Sequence, residues 1–169
     1  MMLEDKVKEF FAQRDKVIAD IQNRLSEIAA LAENATLILS KKEFKSIDLS
    51  VIETIVRLVD FKFSAIYSNT DFIEVVTIDT KLWRDVKEKV IDGMRELIED
   101  IGKTYAKLDA TFRVPEILHE DERITVTDLK GKLRDLFSDL LKKIRELGKY
   151  VPEHMSEDEI KERIKMMYG

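Results

Sequence analysis

The residues best suited to metal chemistry lie in one charged segment, EILHEDE, at positions 116–122. Glu116 and His119 are three residues apart, so on a helix both side chains could reach one metal ion. Di-iron bundles use two such pairs and two further glutamates, whereas here the second histidine, His154, follows Glu153 in a proline-containing segment. Because clustered charge in a connector usually faces solvent, we predict no metal ion or cofactor, with a metal site at Glu116 and His119 as the alternative.

A second candidate uses the same histidine together with Arg113, in the segment RVPEILH. Over these seven residues the chain is similar to the Arg-x(4–6)-His signature of the helical ribonuclease domains found in toxin and defence systems. The resemblance implies that Arg113 would bind the phosphate and that His119 would act as general base. Val114 and Pro115 follow the arginine here, where that family commonly has a polar residue. A hydrolytic enzyme centred on Glu116 and His119 therefore stays open as an alternative.

Other enzyme motifs are missing from the sequence. The chain has no cysteine, which removes disulfides, thiolate metal sites and cysteine nucleophiles. It also has no phosphate-binding loop, dinucleotide fingerprint, nucleophile elbow or paired-histidine zinc motif. We therefore predict a protein that is not an enzyme.

The charge distribution disfavours broad nucleic-acid binding. Charged residues make up 37% of the chain, but 29 basic and 34 acidic residues leave a net charge of −5, with both signs mixed along the sequence. The basic clusters, such as Lys41, Lys42 and Lys45, are short and have no interleaved aromatic residues for base stacking. A nucleic-acid-binding helical subunit of a nucleoprotein assembly remains an alternative, with charge supplied by other subunits.

Length and composition predict one helical domain. A chain of 169 residues with 44% hydrophobic content can build one continuous core, and only five glycines and two prolines interrupt its elements. No apolar run has the length of a signal peptide or a membrane span, so we expect a soluble, cytoplasmic protein. Abundant Glu and Lys with few Asn and Gln favour a thermophilic source.

Hydrophobic periodicity predicts two long helices, at about 3–42 and 71–112. Their apolar residues recur every three or four positions, as on one face of a helix. The first set includes Ile18, Ile21, Leu25, Ile28, Ala32, Ala35 and Leu39, and the second includes Val86, Val90, Met94, Ile98, Ile101 and Leu108.

The stretch from 61 to 80, FKFSAIYSNTDFIEVVTIDT, has two interpretations. In the favoured one, Ser50 with Glu53 begins a helix, Asn69-Thr70 forms a corner, and Asp71 with Glu74 begins the second long helix, since both pairs have capping-box spacing. In the alternative, β-favouring residues form a hairpin at about 61–78 on a helical bundle.

The remaining sequence predicts shorter elements. Residues 113–126 form a charged connector, a helix follows with a stop near Gly148, and residues 156–168 form a C-terminal docking helix. We therefore predict an all-α antiparallel bundle, with two long helices and two or three shorter ones, in a single domain of residues 1–169.

An apolar stripe left without cover is expected near Val7 to Ile18 or near Ile101 to Phe112, because the long pair outreaches its companions. This expectation predicts a non-enzymatic interaction or assembly protein, either self-associating or a small subunit of a larger complex. The predicted partner-binding residues are Phe10, Phe11, Val17, Ile160, Ile164 and Met167.

Overall fold

The computed structural model describes residues 2–76, 84–113 and 120–151. These residues form four long α-helices and contain no β-strand, which confirms the predicted all-α bundle. The helices are α1 (Met2–Leu39), α2 (Ser46–Val76), α3 (Asp92–Arg113) and α4 (Glu120–Tyr150).

The helices run alternately up and down and pack as a ring. Helix α1 packs against α2 and α4, and α3 packs against the same two helices. Contacts between α1 and α2 include the ion pair of Glu27 with Lys62, as expected for antiparallel helices joined by a short loop at residues 40–45. Arg95 of α3 reaches Tyr67 of α2, so this pair is antiparallel as well.

The core is one continuous cluster to which every helix contributes. In α1 the predicted residues Ile18, Ile28, Ala32 and Ala35 are all fully buried. Among the described residues, Phe137 of α4 is the largest side chain with no exposed surface. Burial of this apolar surface is the main contribution that holds the bundle together.

A π-helical turn, Lys87–Ile91, leads into α3. The backbone N–H of Asp92 donates to the carbonyl of Lys87, five residues back. The extra residue in this turn places both Val90 and Ile91 in the core. The π-helical turn also contacts α4, because Lys143 Nζ donates to the backbone carbonyl of Lys89 at 3.3 Å.

The boundaries of α2 differ from the prediction. The helix begins at Ser46 and continues without a corner through Asn69-Thr70 to Val76, so residues 71–76 belong to α2 and not to the second long helix. The hairpin is wrong over residues 61–76, because they are helical. Residues 77–83 lie outside the described part of the chain.

Both predicted capping boxes are wrong for the same reason. Ser50 lies inside α2, where its hydroxyl donates to the carbonyl of Ser46 at 3.2 Å, and Glu53 pairs with Arg57. Asp71 also lies in the interior of α2. Ser, Thr and Asp are tolerated in helix interiors when tertiary packing outweighs local preference, so spacing alone did not locate the ends.

The predicted connector at 113–126 is shorter than expected. Helix α4 begins at Glu120, so its first residues already cover the second half of that segment. At the other end, α4 continues through Gly148 and ends at Tyr150, two residues beyond the predicted stop. Gly148 therefore lies inside the helix and does not end it.

Candidate interaction surface

The residues proposed for chemistry are only partly covered by the structure. Glu116 and His119 lie outside the described residues, so a role for them stays a prediction. Arg113 is the last residue of α3, and its Nε donates to Asp109 Oδ1 at 2.6 Å. This hydrogen bond, together with the charge of Asp109, raises the pKa of Arg113. Within residues 2–76, 84–113 and 120–151, no group of three or more acidic or histidine side chains could hold a metal ion.

Arg113 belongs to a polar network between α3 and α2. Tyr105 is partly buried, and burial, reinforced by the charges of Asp109 and Glu53, raises its pKa to about 12. Glu53 also accepts a hydrogen bond from Arg57 at 2.6 Å. The arginine suggested as a phosphate ligand is therefore engaged with neighbours of its own chain.

Only some of the predicted partner-binding residues lie in the part of the chain that the structure describes. Val17 is half-buried and packs against the core. Phe10 and Phe11 lie in α1, but their side chains are outside the description. Ile160, Ile164 and Met167 also lie outside it. All six partner-binding assignments stay predictions.

The stripe expected at Ile101 to Phe112 is covered by the chain itself. Ile101 and Leu108 have no exposed surface. Phe112 is half-buried and meets the ring of Phe44 edge to face, with 5.9 Å between ring centroids. Ile18, at the end of the other expected stripe, is also fully buried. The expectation of an uncovered stripe at Ile101–Phe112 was wrong, because the neighbouring helices extend along this part of α3.

An uncovered apolar stripe lies instead on the outer face of α2. Ile47 is 67% exposed, Val51 and Leu58 are each 39% exposed, and Phe61 is 70% exposed. With the exposed Thr54, these residues follow one another at intervals of four, three, four and three, so they share one side of the helix. We call them the α2 stripe: Ile47, Val51, Thr54, Leu58 and Phe61.

Helix α2 is therefore apolar on two separate sides. Its inner side carries the buried residues Leu49, Ile52, Ile55, Val59, Phe63 and Ile66. The α2 stripe exposes roughly 400 Å² of apolar surface, within the range of the largest patches on monomeric proteins, which often mark binding sites. Such a 4-3-4-3 stripe fits the apolar face of another helix.

Charged pairs flank the α2 stripe on both sides. The Arg57 guanidinium lies 2.6 Å from the carboxylate of Glu53 on one side, and Lys62 pairs with Glu27 of α1 on the other. Each pair is neutral overall. An apolar strip with a polar rim is the usual anatomy of a protein interface.

The start of α2 is fixed by Asp48 in its first turn. Asp48 Oδ2 accepts a hydrogen bond from the backbone N–H of Lys45 at 2.9 Å, and Oδ1 accepts one from Lys41 Nζ at 3.0 Å. Both bonds hold the pKa of Asp48 below its ordinary value, and the bond from Lys45 has the larger effect. The carboxylate thereby satisfies a backbone donor that the helix itself cannot use.

Replacing Asp48 with Asn is expected to make the melting temperature less dependent on pH in acid. A carboxylate with a lowered folded-state pKa contributes stability above its unfolded-state pKa, and this contribution is lost as the pH falls through the folded-state value. Melting temperatures of the wild type should therefore fall more steeply below about pH 4 than those of the variant. Lys41→Met should give an intermediate slope, because the bond from Lys45 remains. Parallel curves for the wild type and Asp48→Asn would contradict this role.

The basic residues near the α1–α2 loop are also engaged internally. Lys130 of α4 lies over the ring of Phe44, with 4.7 Å from Nζ to the ring centroid, and donates to the carbonyl of Lys41 at 3.3 Å. Partial burial lowers the pKa of Lys130, and repulsion from Arg134 lowers it further by a smaller amount. Lys130 and Lys41 therefore stabilise the packing of the loop against α4.

Two surface grooves do not have the character of small-molecule sites. The groove between α2 and α3, floored by Phe63, Tyr67 and Ile98, measures about 270 Å³, below the range of about 300–1,000 Å³ typical of ligand pockets. The groove beside the π-helical turn measures about 680 Å³, but nine of its eleven lining residues are charged. Ligand pockets are predominantly apolar, so the α2 stripe is the stronger candidate for binding.

Comparison with known proteins adds no functional assignment. The chain matches no protein-family model, no curated protein and no solved structure. Among the described residues, no helix is both long and apolar enough to cross a membrane. The candidate function therefore depends on the surface of the molecule alone.

Proposed function

We propose that this chain is a non-enzymatic interaction or assembly protein, which either self-associates or serves as a small subunit of a larger complex. Its binding element in this proposal is the α2 stripe. The observation that carries the proposal is the exposure of Ile47 and Phe61, at 67% and 70%, on a helix whose inner side is already buried. Large apolar side chains arranged in a helical stripe favour a helical partner.

The surrounding surface supports this proposal. Exposed apolar side chains scattered singly are normal, whereas four on one helical face are not scattered. The stripe extends for about 21 Å, which matches about two heptads of a helix-helix contact. The polar network of Arg57, Glu53 and Tyr105 holds one flank of α2 in a defined position. A rigid, apolar, helical surface binds without a large cost of ordering.

The test compares two exposed sites in the cells that naturally make the protein. Phe61→Lys alters the stripe, and Leu37→Lys alters an equally exposed leucine on α1, outside the stripe; both native residues are 70% exposed. We expect tagged wild type and Leu37→Lys to elute from a native extract in an assembly larger than the 19.7 kDa monomer. Phe61→Lys should elute as a monomer. Because both sites face solvent, neither change should alter the free energy of unfolding by more than about 0.5 kcal/mol.

A wild type that is monomeric both in the extract and as pure protein at high concentration would contradict the proposal. An assembly that survives Phe61→Lys would also contradict it, because some other surface would then hold the partner. Measuring thermal unfolding of the purified variants separates loss of binding from loss of folding.

A further inference from the structure

We propose that the α2 stripe binds the α2 stripe of a second copy of this chain, with the two helices antiparallel. This inference rests on the proposed function and names its partner. An isologous contact of this kind closes a two-fold dimer, the commonest symmetric assembly. Three features carry it: the size of the stripe, the order of its side chains and the charged pairs beside it.

The size of the stripe fits a small symmetric interface. A stable interface usually buries about 800 Å² on each partner, and the stripe provides roughly half of this as exposed apolar surface. The exposed Arg57 side chain adds polar surface beside the stripe, with smaller contributions from Glu53 and Lys62. An interface at this lower limit predicts a dissociation constant on the order of 1–100 µM.

The order of side chains is self-complementary in the antiparallel direction. In one register, Val51 faces Phe61 of the second copy, Leu58 faces Thr54, and Ile47 faces Ala65. All three pairs have the same sum of residue numbers, so one register satisfies them together. Each pair combines a larger side chain with a smaller one, as close packing of two helices requires. A parallel pair would instead place Phe61 against Phe61 and Thr54 against Thr54.

The flanking charges permit the same arrangement. Arg57 lies near the two-fold axis of this register and is held by Glu53 of its own helix at 2.6 Å. The second copy brings an identical pair, so two guanidinium groups meet two carboxylates. The net charge at the centre of the interface is zero, and association should therefore depend little on ionic strength.

Sedimentation velocity of the purified full-length chain between about 1 and 500 µM tests the dimer, over a range chosen around the expected affinity. The wild type should shift from 19.7 kDa to twice that mass. Phe61→Lys should weaken association at least about 100-fold, as expected for loss of the largest aromatic anchor of the stripe and its replacement by a charge. The matched control Leu37→Lys should leave it unchanged. Circular dichroism melts verify that each variant is folded.

A charge-pair exchange tests the antiparallel register. Val51→Glu and Phe61→Lys should each abolish the dimer, and the double variant should restore it, because each glutamate then faces a lysine of the second copy. A parallel dimer would juxtapose like charges and would not be restored. Failure of the double variant to dimerise overturns the register.

A wild type that stays monomeric up to 500 µM overturns the self-association itself. If the same protein nevertheless elutes in a larger assembly from native extract, the occupant of the stripe is another protein and the proposed function stands. If it is monomeric in both, the inference and the proposed function fail together.

Discussion

Replacing Phe137 with Ala is expected to lower the free energy of unfolding by about 3–5 kcal/mol. Phe137 has no exposed surface and belongs to the cluster that all four described helices share. Truncation removes the transfer free energy of the ring and leaves a cavity that rigid helices fill only partly. Since domains are usually stable by about 5–15 kcal/mol, this loss would leave little of the total.

Phe61→Ala is the matched control for Phe137→Ala, because it makes the same substitution at a side chain that is 70% exposed. Urea unfolding at a protein concentration below that of association should show a change within about 0.5 kcal/mol for Phe61→Ala. Equal losses at the two positions would contradict the distinction between the core and the α2 stripe. A small loss at Phe137 would show that the core is packed differently.

The double variant Gly102→Ala, Gly131→Ala is expected to stabilise the fold by up to about 2 kcal/mol. Both glycines lie inside helices, α3 and α4, and a Cβ atom added at either meets no other atom within 4 Å. Alanine in a helix interior is favoured over glycine by about 1 kcal/mol, because glycine loses more backbone entropy on folding. The melting temperature should rise by about 4–8 °C.

Gly93→Ala provides the comparison for this prediction. A Cβ atom at position 93 would lie 3.4 Å from Cε of Lys143, whose Nζ donates to the carbonyl of Lys89. The gain there should be smaller than at Gly102 or Gly131, because the lysine must move slightly. Thermal unfolding of the three single variants gives the order directly. Destabilisation by Gly102→Ala or Gly131→Ala would contradict the open space at these positions.

Much of the core could be predicted because helical periodicity depends on residue type alone. The residues of α1 from Ile18 to Leu39 that recur every three or four positions are buried, as predicted. The same holds for Val86, Val90 and Met94. In these helices one side is apolar and the other is charged, so a single pattern identifies the core face.

Helix ends were less predictable, because capping sequences also occur inside helices. Ser50 with Glu53 and Asp71 with Glu74 have the spacing of a capping box, yet all four lie within α2. The real start uses Asp48, which reaches back to the N–H of Lys45. Asp48 stands three residues after Lys45, so the signal was present in the sequence, but Lys45 itself is not a favoured capping residue.

The α2 stripe was missed because α2 carries two apolar faces. In the sequence, Ile52, Ile55, Val59, Phe63 and Ile66 recur every three or four positions, which predicts the inner face, and all five are buried. Ile47, Leu58 and Phe61 were not assigned to a second face. A second 4-3-4-3 series in the same helix is the signal that could have found it. Which of the two faces is covered depends on the positions of α1 and α3, and this information is not local to the sequence.

The outer face of α2 is expected to be covered when the protein is assembled, and cysteine labelling tests this claim most directly. The chain has no cysteine, so single cysteines introduced at the exposed Thr54 on the α2 stripe and at the exposed Asp135 on α4 report one site each. In assembled protein, whether concentrated and pure or in native extract, maleimide labelling at position 54 should be at least about tenfold slower than in dilute monomer, as expected for a site buried in an interface. Labelling at position 135 should not change. Equal labelling rates at position 54 in the assembled and dilute states would contradict the claim.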